Sequence, residues 1–263
     1  MRYPKLTIFL GLILSLIAWV LISGMEGDRP KAELNPVSAT PGTGSVLVIG
    51  GNRATGLEVV RLLRARGDDV VVLVRPSSDA SAAEALGARI VRGDAMNPPD
   101  LTAALAAVPA GGGFRAIVST LGATSVDGPR PDFEGNRNAV DAARFAGVQR
   151  FVLVTMIGAG DSLRASPAIA RYFLRKVTPE KTKAEDYLKT SGLDYTIIRP
   201  GGLLNKEAEG KAYLTEDTRS MSWIRRADLA ALVVKALDDP RAIGKTYHAF
   251  DPERTRFWSI PRN

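Results

Sequence analysis

SVLVIGGNRATG, residues 45–56, sets a short uncharged apolar run against a glycine-rich turn that opens into a helical pattern. The spacing predicts a buried strand over Ser45–Ile49 and a helix over Thr55–Arg66, which Gly67 stops as a C-terminal cap. Gly50 permits a tight turn, and Gly56 permits a close approach of helix to strand. Between them stand Asn52, Arg53, Ala54 and Thr55. A helix start reached this way offers backbone N–H groups and the positive end of its dipole to a diphosphate. The plain alternative is a structural glycine turn. Strand, turn and helix in this order favour the phosphate reading.

Working outward, apolar runs alternate with helical patterns. Strands are expected at Val70–Val74, Arg89–Val91, Ala116–Ser119, Arg150–Thr155, Tyr195–Ile198 and Thr246–Phe250. Helices are expected near Ser81–Leu86, Pro99–Ala107, Asp132–Ala146, before Ser191–Gly192, and over Arg226–Leu237. Continuous apolar strands, each followed by a helix, call for a parallel sheet covered on both faces. The fold class is therefore α/β, a Rossmann-type doubly wound parallel sheet. Ligands of such sheets sit beyond the carboxyl ends of the strands.

At the end of the second strand stands Arg75, nineteen residues past Gly56. A site selective for NAD usually has Asp or Glu here, binding the ribose 2′-hydroxyl. An arginine instead pairs with the 2′-phosphate of NADP. The expected cofactor is NADP, with NAD as the alternative. Arg53, Ser77 and Ser78 are placed to join Arg75.

Composition removes several chemistries. The chain has 263 residues, no cysteine and one histidine, His248. Disulfides, thiolate metal sites, cysteine nucleophiles and histidine-rich metal sites are excluded, and no metal is expected. The formal charge of +7 fits an anionic ligand or an anionic membrane surface. Its basic residues form no aromatic-interleaved cluster of the nucleic-acid kind, so no nucleic-acid partner is expected. The expected partner is a small-molecule substrate.

Leu6–Ile22 is an uncharged apolar run preceded by Arg2 and Lys5. As a helix it would span about 26 Å, just short of a ~30 Å hydrocarbon core. Residues 1–23 are read as a single N-terminal hydrophobic helix that anchors the chain in a membrane. The alternative is a cleaved signal peptide with a secreted or periplasmic domain, although Ile22-Ser23-Gly24 makes a weak cleavage site. Flanking charges favour an outside domain, whereas cofactor supply favours the cytosolic face. Residues 24–44 read as a flexible linker, 45–250 as the Rossmann domain and 251–263 as a tail.

The chain also resembles the atypical short-chain dehydrogenase/reductases of the NAD(P)H-binding, NmrA-like and biliverdin-reductase-B-like group. VLVIGGNRATGLEVVRLL, VLVRP, the Gly93-Asp94 pair and DFEGNRNAVDAARFAGVQRFVLVTMIGAG carry the likeness, with KAEDYLKTSGLDYTIIRPGGL and IRRADLA completing it. It spans about Ser45 to Phe250. The usual loop is GATGxxG, and here Arg53 replaces the middle glycine. The resemblance implies that Asp94 bonds the adenine amino group, with Ala95 beside it. It implies that Ser119, Thr120 and Leu121 face the central riboses, that Thr155 bonds a substrate carbonyl, and that Arg199, Pro200, Gly201 and Gly202 line the nicotinamide end through backbone groups.

Reductases of this superfamily use Tyr-x-x-x-Lys, and the chain has one match, Tyr172 to Lys176. The group's Lys-x-x-x-Glu pattern, about twenty residues before Arg-Pro, selects Lys181 and Glu185 instead and puts Val177 at the tyrosine position. Pro179 argues against one regular helix across both candidates. Lys181 is read as the ribose-binding lysine, with no catalytic tyrosine. The function implied is an NADP-dependent reductase of an unsaturated, quinonoid, flavin-like or carbonyl acceptor. The rivals are a non-catalytic NAD(P)-binding sensor or assembly factor tethered to a membrane, and a scaffold whose phosphate site Arg53 fills. Trp223 is a candidate wall of the substrate pocket. His248 reads as packed rather than catalytic.

Overall fold

A computed structural model describes residues 29–107, 112–122 and 130–255. The hydrophobic helix expected within residues 1–23 lies outside them. Among the described residues no helix is long and apolar enough to cross a membrane.

Strands β1 (Ser45–Ile49) and β2 (Val70–Val74) are buried at every position, as β-branched runs without polar alternation require. They pair in parallel, Val46 opposite Val70 and Ile49 opposite Leu73. With β3 (Arg89–Arg92), β4 (Phe114–Ser119), β5 (Arg150–Val154), β6 (Asp194–Pro200), β8 (Tyr213–Thr215) and β10 (Lys245–Phe250) they form an eight-stranded sheet. Its order is β3-β2-β1-β4-β5-β6-β10-β8. All pairs are parallel except β10 with β8. The doubly wound sheet expected from the sequence is borne out. A two-stranded parallel piece, β7 (Gly202–Leu204) with β9 (Trp223–Arg225), stands apart.

Alternate side chains of each strand feed two cores. Val46, Val48, Val70 and Val72 pack with Val60 and Leu63 of α1 (Ala54–Arg66) and Leu229 and Val233 of α7 (Arg226–Asp238). Leu47, Ile49, Val71 and Leu73 face the opposite layer, built from α3 (Pro98–Ala106), α4 (Glu134–Phe145) and α6 (Thr178–Lys189). Two short helices, α2 (Ser81–Ala85) and α5 (Ala168–Phe173), complete the set.

At the foot of the sheet Asp68 accepts from Arg66 at 2.6 Å and from Arg115 at 2.9 Å. Arg115 also reaches Asp238, at 2.9 Å, at the end of α7. Burial would raise the Asp68 carboxyl, but the two guanidinium groups hold it below the usual carboxylate range.

Residues 29–44 differ from the flexible linker suggested by their composition. Ala32 donates its N–H to Leu214 O at 2.7 Å, Arg29 pairs with Asp217 at 3.1 Å, and Asn35 N–H donates to Asp239 at 2.5 Å. Gly42 N–H donates to Asp68 at 3.2 Å. Tertiary partners, which local composition does not encode, hold this strap in place. The tail is likewise docked as far as it is described, Arg254 reaching Glu209 at 2.6 Å.

His248 sits in β10, 1% exposed, with Nδ1 2.7 Å from Ser220 O. Burial lowers its pKa below the ordinary 6.5. The unfolded chain therefore binds a proton near pH 6.5 that the folded chain refuses. The associated stability is complete above that pH and declines as pH falls below it. His248→Gln should flatten the dependence of melting temperature on pH between about 6.5 and 5, measured by thermal denaturation. An unchanged slope would exclude the histidine as its source.

Candidate active site

Beyond the carboxyl ends of the strands lies a cleft of about 930 Å³, within the range of small-molecule sites. The turn after β1 forms one wall. Gly50 adopts φ +83, and a Cβ there would stand 2.8 Å from Thr120 Oγ1. A Cβ on Gly56 would overlap the Gly50 carbonyl oxygen, so α1 crosses β1 at a distance only glycine allows. Arg53 has φ −162, extended backbone open to any residue, and its substitution for the glycine of the usual loop costs no strain. The left-handed conformation falls on Ala54 instead, at φ +50, a cost of ~1 kcal/mol.

The first turn of α1 has no side-chain cap and no acidic residue. Its orphan N–H groups remain available to an anion. Arg53 and Arg75 line the same cleft, both exposed, and neither forms an ion pair among the described residues. Arg226, at the start of α7, also lines it. Its Nε is buried without a hydrogen-bond partner, and burial lowers the guanidinium pKa. Asn52 is tied by its side chain to Asp79 O at 2.9 Å. An uncapped helix start with three open cations fits a dinucleotide diphosphate and a further phosphate.

Residues 50–240 match the model of a family described as NAD(P)H-binding. The chain belongs to the NAD(P)H-binding family. The structure of the anaerobillin reductase ChuY from Escherichia coli O157:H7 is 32% identical, covers 80% of this chain and 98% of its own, and has a TM-score of 0.71. The uncharacterized sugar epimerase YhfK of Bacillus subtilis is 30% identical over 207 residues, 77% of this chain and 92% of that one. An NAD(P)H azoreductase of Xenophilus azovorans is 30% identical over 218 residues, 79% of this chain and 68% of that one. The expected family and NAD(P) cofactor are thereby borne out.

Within the cleft of this NAD(P)H-binding domain, most residues expected from the sequence converge. Gly50, Asn52, Arg53, Ala54, Thr55, Gly56, Arg75, Asp94, Ala95, Thr120, Leu121, Thr155, Lys181 and Pro200 all line it. Ser119, Arg199, Gly201 and Gly202 do not. Ser119 is fully buried, its hydroxyl 2.6 Å from Asn136 Oδ1, and Gly201 packs on Ser222 O. Asp94 Oδ1 accepts from Met96 N–H at 2.9 Å.

Lys181, 6% exposed, donates from Nζ to Leu121 O and stands 3.2 Å from Asp132 Oδ1. Burial lowers its pKa, and the Asp132 carboxylate opposes that shift. Tyr172 lies elsewhere. It is 61% exposed on α5, which ends at Phe173, and a turn separates it from α6, which begins at Thr178. Tyr172 and Lys176 do not line the cleft.

The hydroxyl of Thr155 donates to Glu185 Oε1 at 2.7 Å. Its proton is thus directed at a carboxylate rather than at a substrate carbonyl, which differs from the expectation. Glu185 also binds Arg199 through two contacts, 3.0 Å to Nε and 2.6 Å to Nη2. Both side chains are 0% exposed. Burial alone would lower the Arg199 pKa, but Glu185 and Asp161 raise it. The Lys-x-x-x-Glu and Arg-Pro patterns mark the two residues separately, but pairing a helix residue with a strand residue needs the fold. Trp223 packs its ring on Gly202 and does not line the cleft.

Proposed function

We propose that the chain is an NADPH-dependent reductase acting on an unsaturated or quinonoid acceptor. The observation that carries this reading is the cleft itself, which joins an uncapped helix start and Arg75 to a buried lysine. Among its described lining residues there is no tyrosine or histidine. Two relatives named as reductases support it.

When bound, the reduced nicotinamide supplies the hydride. The chain's own residues bind and orient. The α1 start and Arg53 hold the diphosphate, and Arg75 holds the 2′-phosphate. Lys181 Nζ, fixed by Leu121 O and Asp132, presents its remaining proton to a ribose hydroxyl. Thr155, its proton committed to Glu185, offers the cleft an acceptor lone pair. Without a tyrosine acid, simple ketone reduction is disfavoured. Quinones, flavins and tetrapyrroles take their proton from water, and positioning supplies the rate. The reading includes attachment to a membrane through Leu6–Ile22, with the domain on the side where the cofactor is made.

NADPH oxidation against a panel of quinones, flavins and dicarbonyls tests the proposal. A flat panel in the presence of tight NADPH binding would favour a non-catalytic sensor. Arg75→Asp should weaken NADPH by roughly tenfold or more, from the loss of a charge-assisted contact of about 1.5–3 kcal/mol, and NADH far less. Equal losses by titration calorimetry would remove Arg75 from the role.

A further inference from the structure

Between Ser162 and Pro179 the chain carries Arg164, Arg171, Arg175 and Lys176 and no acidic residue. The same stretch leaves large apolar side chains open: Leu163 at 48%, Ile169 at 67%, Tyr172 at 61% and Phe173 at 62%. No residue of α5 is buried, so its apolar side chains add nothing to either core. Tyr172 and Phe173 meet edge to face at 5.5 Å. Arg175 lies 4.7 Å over the Tyr172 ring and donates to Tyr172 O at 2.9 Å. Ring and cation are thus presented together.

Exposed apolar patches of this kind mark interaction surfaces. Contrary to the scattered basic residues read from the sequence, Arg171, Tyr172, Phe173 and Arg175 interleave aromatic and basic groups. With aliphatic neighbours they have the composition of a segment that lies in a bilayer interface, apolar groups entering the acyl boundary and cations meeting anionic headgroups. Charge complementarity therefore points to an anionic surface. A second feature of the chain favours lipid over an acidic protein, namely the uncharged run Leu6–Ile22. Position adds a third argument. α5 belongs to the connection between β5 and β6, beyond the carboxyl ends of the strands, at the end of the sheet that holds the cleft.

We propose that Leu163, Ile169, Tyr172 and Phe173, with their flanking arginines, form a surface that seats on an anionic lipid bilayer and turns the cleft toward it. An acceptor dissolved in the membrane then has a short path to the site. The surface stands whether or not the reductase reading does.

Leu6–Ile22 alone could hold the chain on any vesicle, so total binding is not the readout. The absence of cysteine allows a single environment-sensitive thiol dye to be placed in the full chain, at Phe173→Cys. Arg144→Cys, 56% exposed in the last turn of α4 at the other end of the domain, is the control. With vesicles of equal parts phosphatidylcholine and phosphatidylglycerol, emission at position 173 should shift to the blue and be quenched by brominated lipid. With phosphatidylcholine alone, or at position 144, it should not. Arg171→Glu with Arg175→Glu should weaken the response about tenfold or more, with the melting temperature unchanged.

Equal emission at the two positions on anionic vesicles overturns the proposal. So does an equal shift on phosphatidylcholine alone. A shift that grows with protein concentration in vesicle-free buffer assigns the patch to a second copy of the chain, and overturns it too.

Discussion

Glu185→Ala is expected to destabilise the domain by about 3–5 kcal/mol, because it leaves the Arg199 guanidinium buried without its main partner. Arg199 is 0% exposed and holds Glu185 through two contacts. Its other partner, Asp161, has a side chain 68% exposed, where water weakens the attraction. Thr155 would lose its acceptor as well. The measurement is urea denaturation. The double variant Glu185→Leu with Arg199→Met should recover most of the loss, since removing both members of a buried pair is far cheaper than removing one. Should the single variant unfold at the same midpoint as the parent, the pair would be dispensable to the fold.

Gly56→Val carries the second large effect. The space for any Cβ at this position is occupied by the Gly50 carbonyl and by Thr120 Oγ1, 2.7 Å away. To admit a side chain, α1 must retreat from β1 and take its N–H groups with it. NADPH and NADH should both weaken by roughly a hundredfold or more, about 2.7 kcal/mol, in calorimetric titration. Near-ultraviolet circular dichroism would establish that the variant is folded. A folded variant with parental affinity would show that the diphosphate is held elsewhere.

The central fold was legible because its signals are local. VLVI, VVVLV and the glycine turn need only neighbours in sequence to be read, and Gly67 indeed closes α1, at φ +94. Arg75 was found by counting from Gly56. The site residues missed, or placed differently, depend on distant partners. Ser119 looks like its neighbours Thr120 and Leu121, yet period-two alternation and Asn136 of α4 take it into the core. Glu185 and Arg199 come from helix and strand, and no periodicity announces a buried ion pair. The three-residue strands β7, β8 and β9 are too short to stand out by pattern. The Pro- and Gly-rich strap reads as loose because composition is blind to Asp217, Asp239 and Asp68 waiting across the fold.

That strap bears on how the molecule behaves in a crowded solution. β8 is the outermost strand on its side, and an uncovered row of N–H and C=O groups would invite pairing with a stranger's backbone. Ala32 already occupies the Leu214 carbonyl there. The polypeptide thus covers part of its own flank, and sheet growth from one molecule to the next is hindered on that side by a segment whose Ala32 and Leu34 pack against the core.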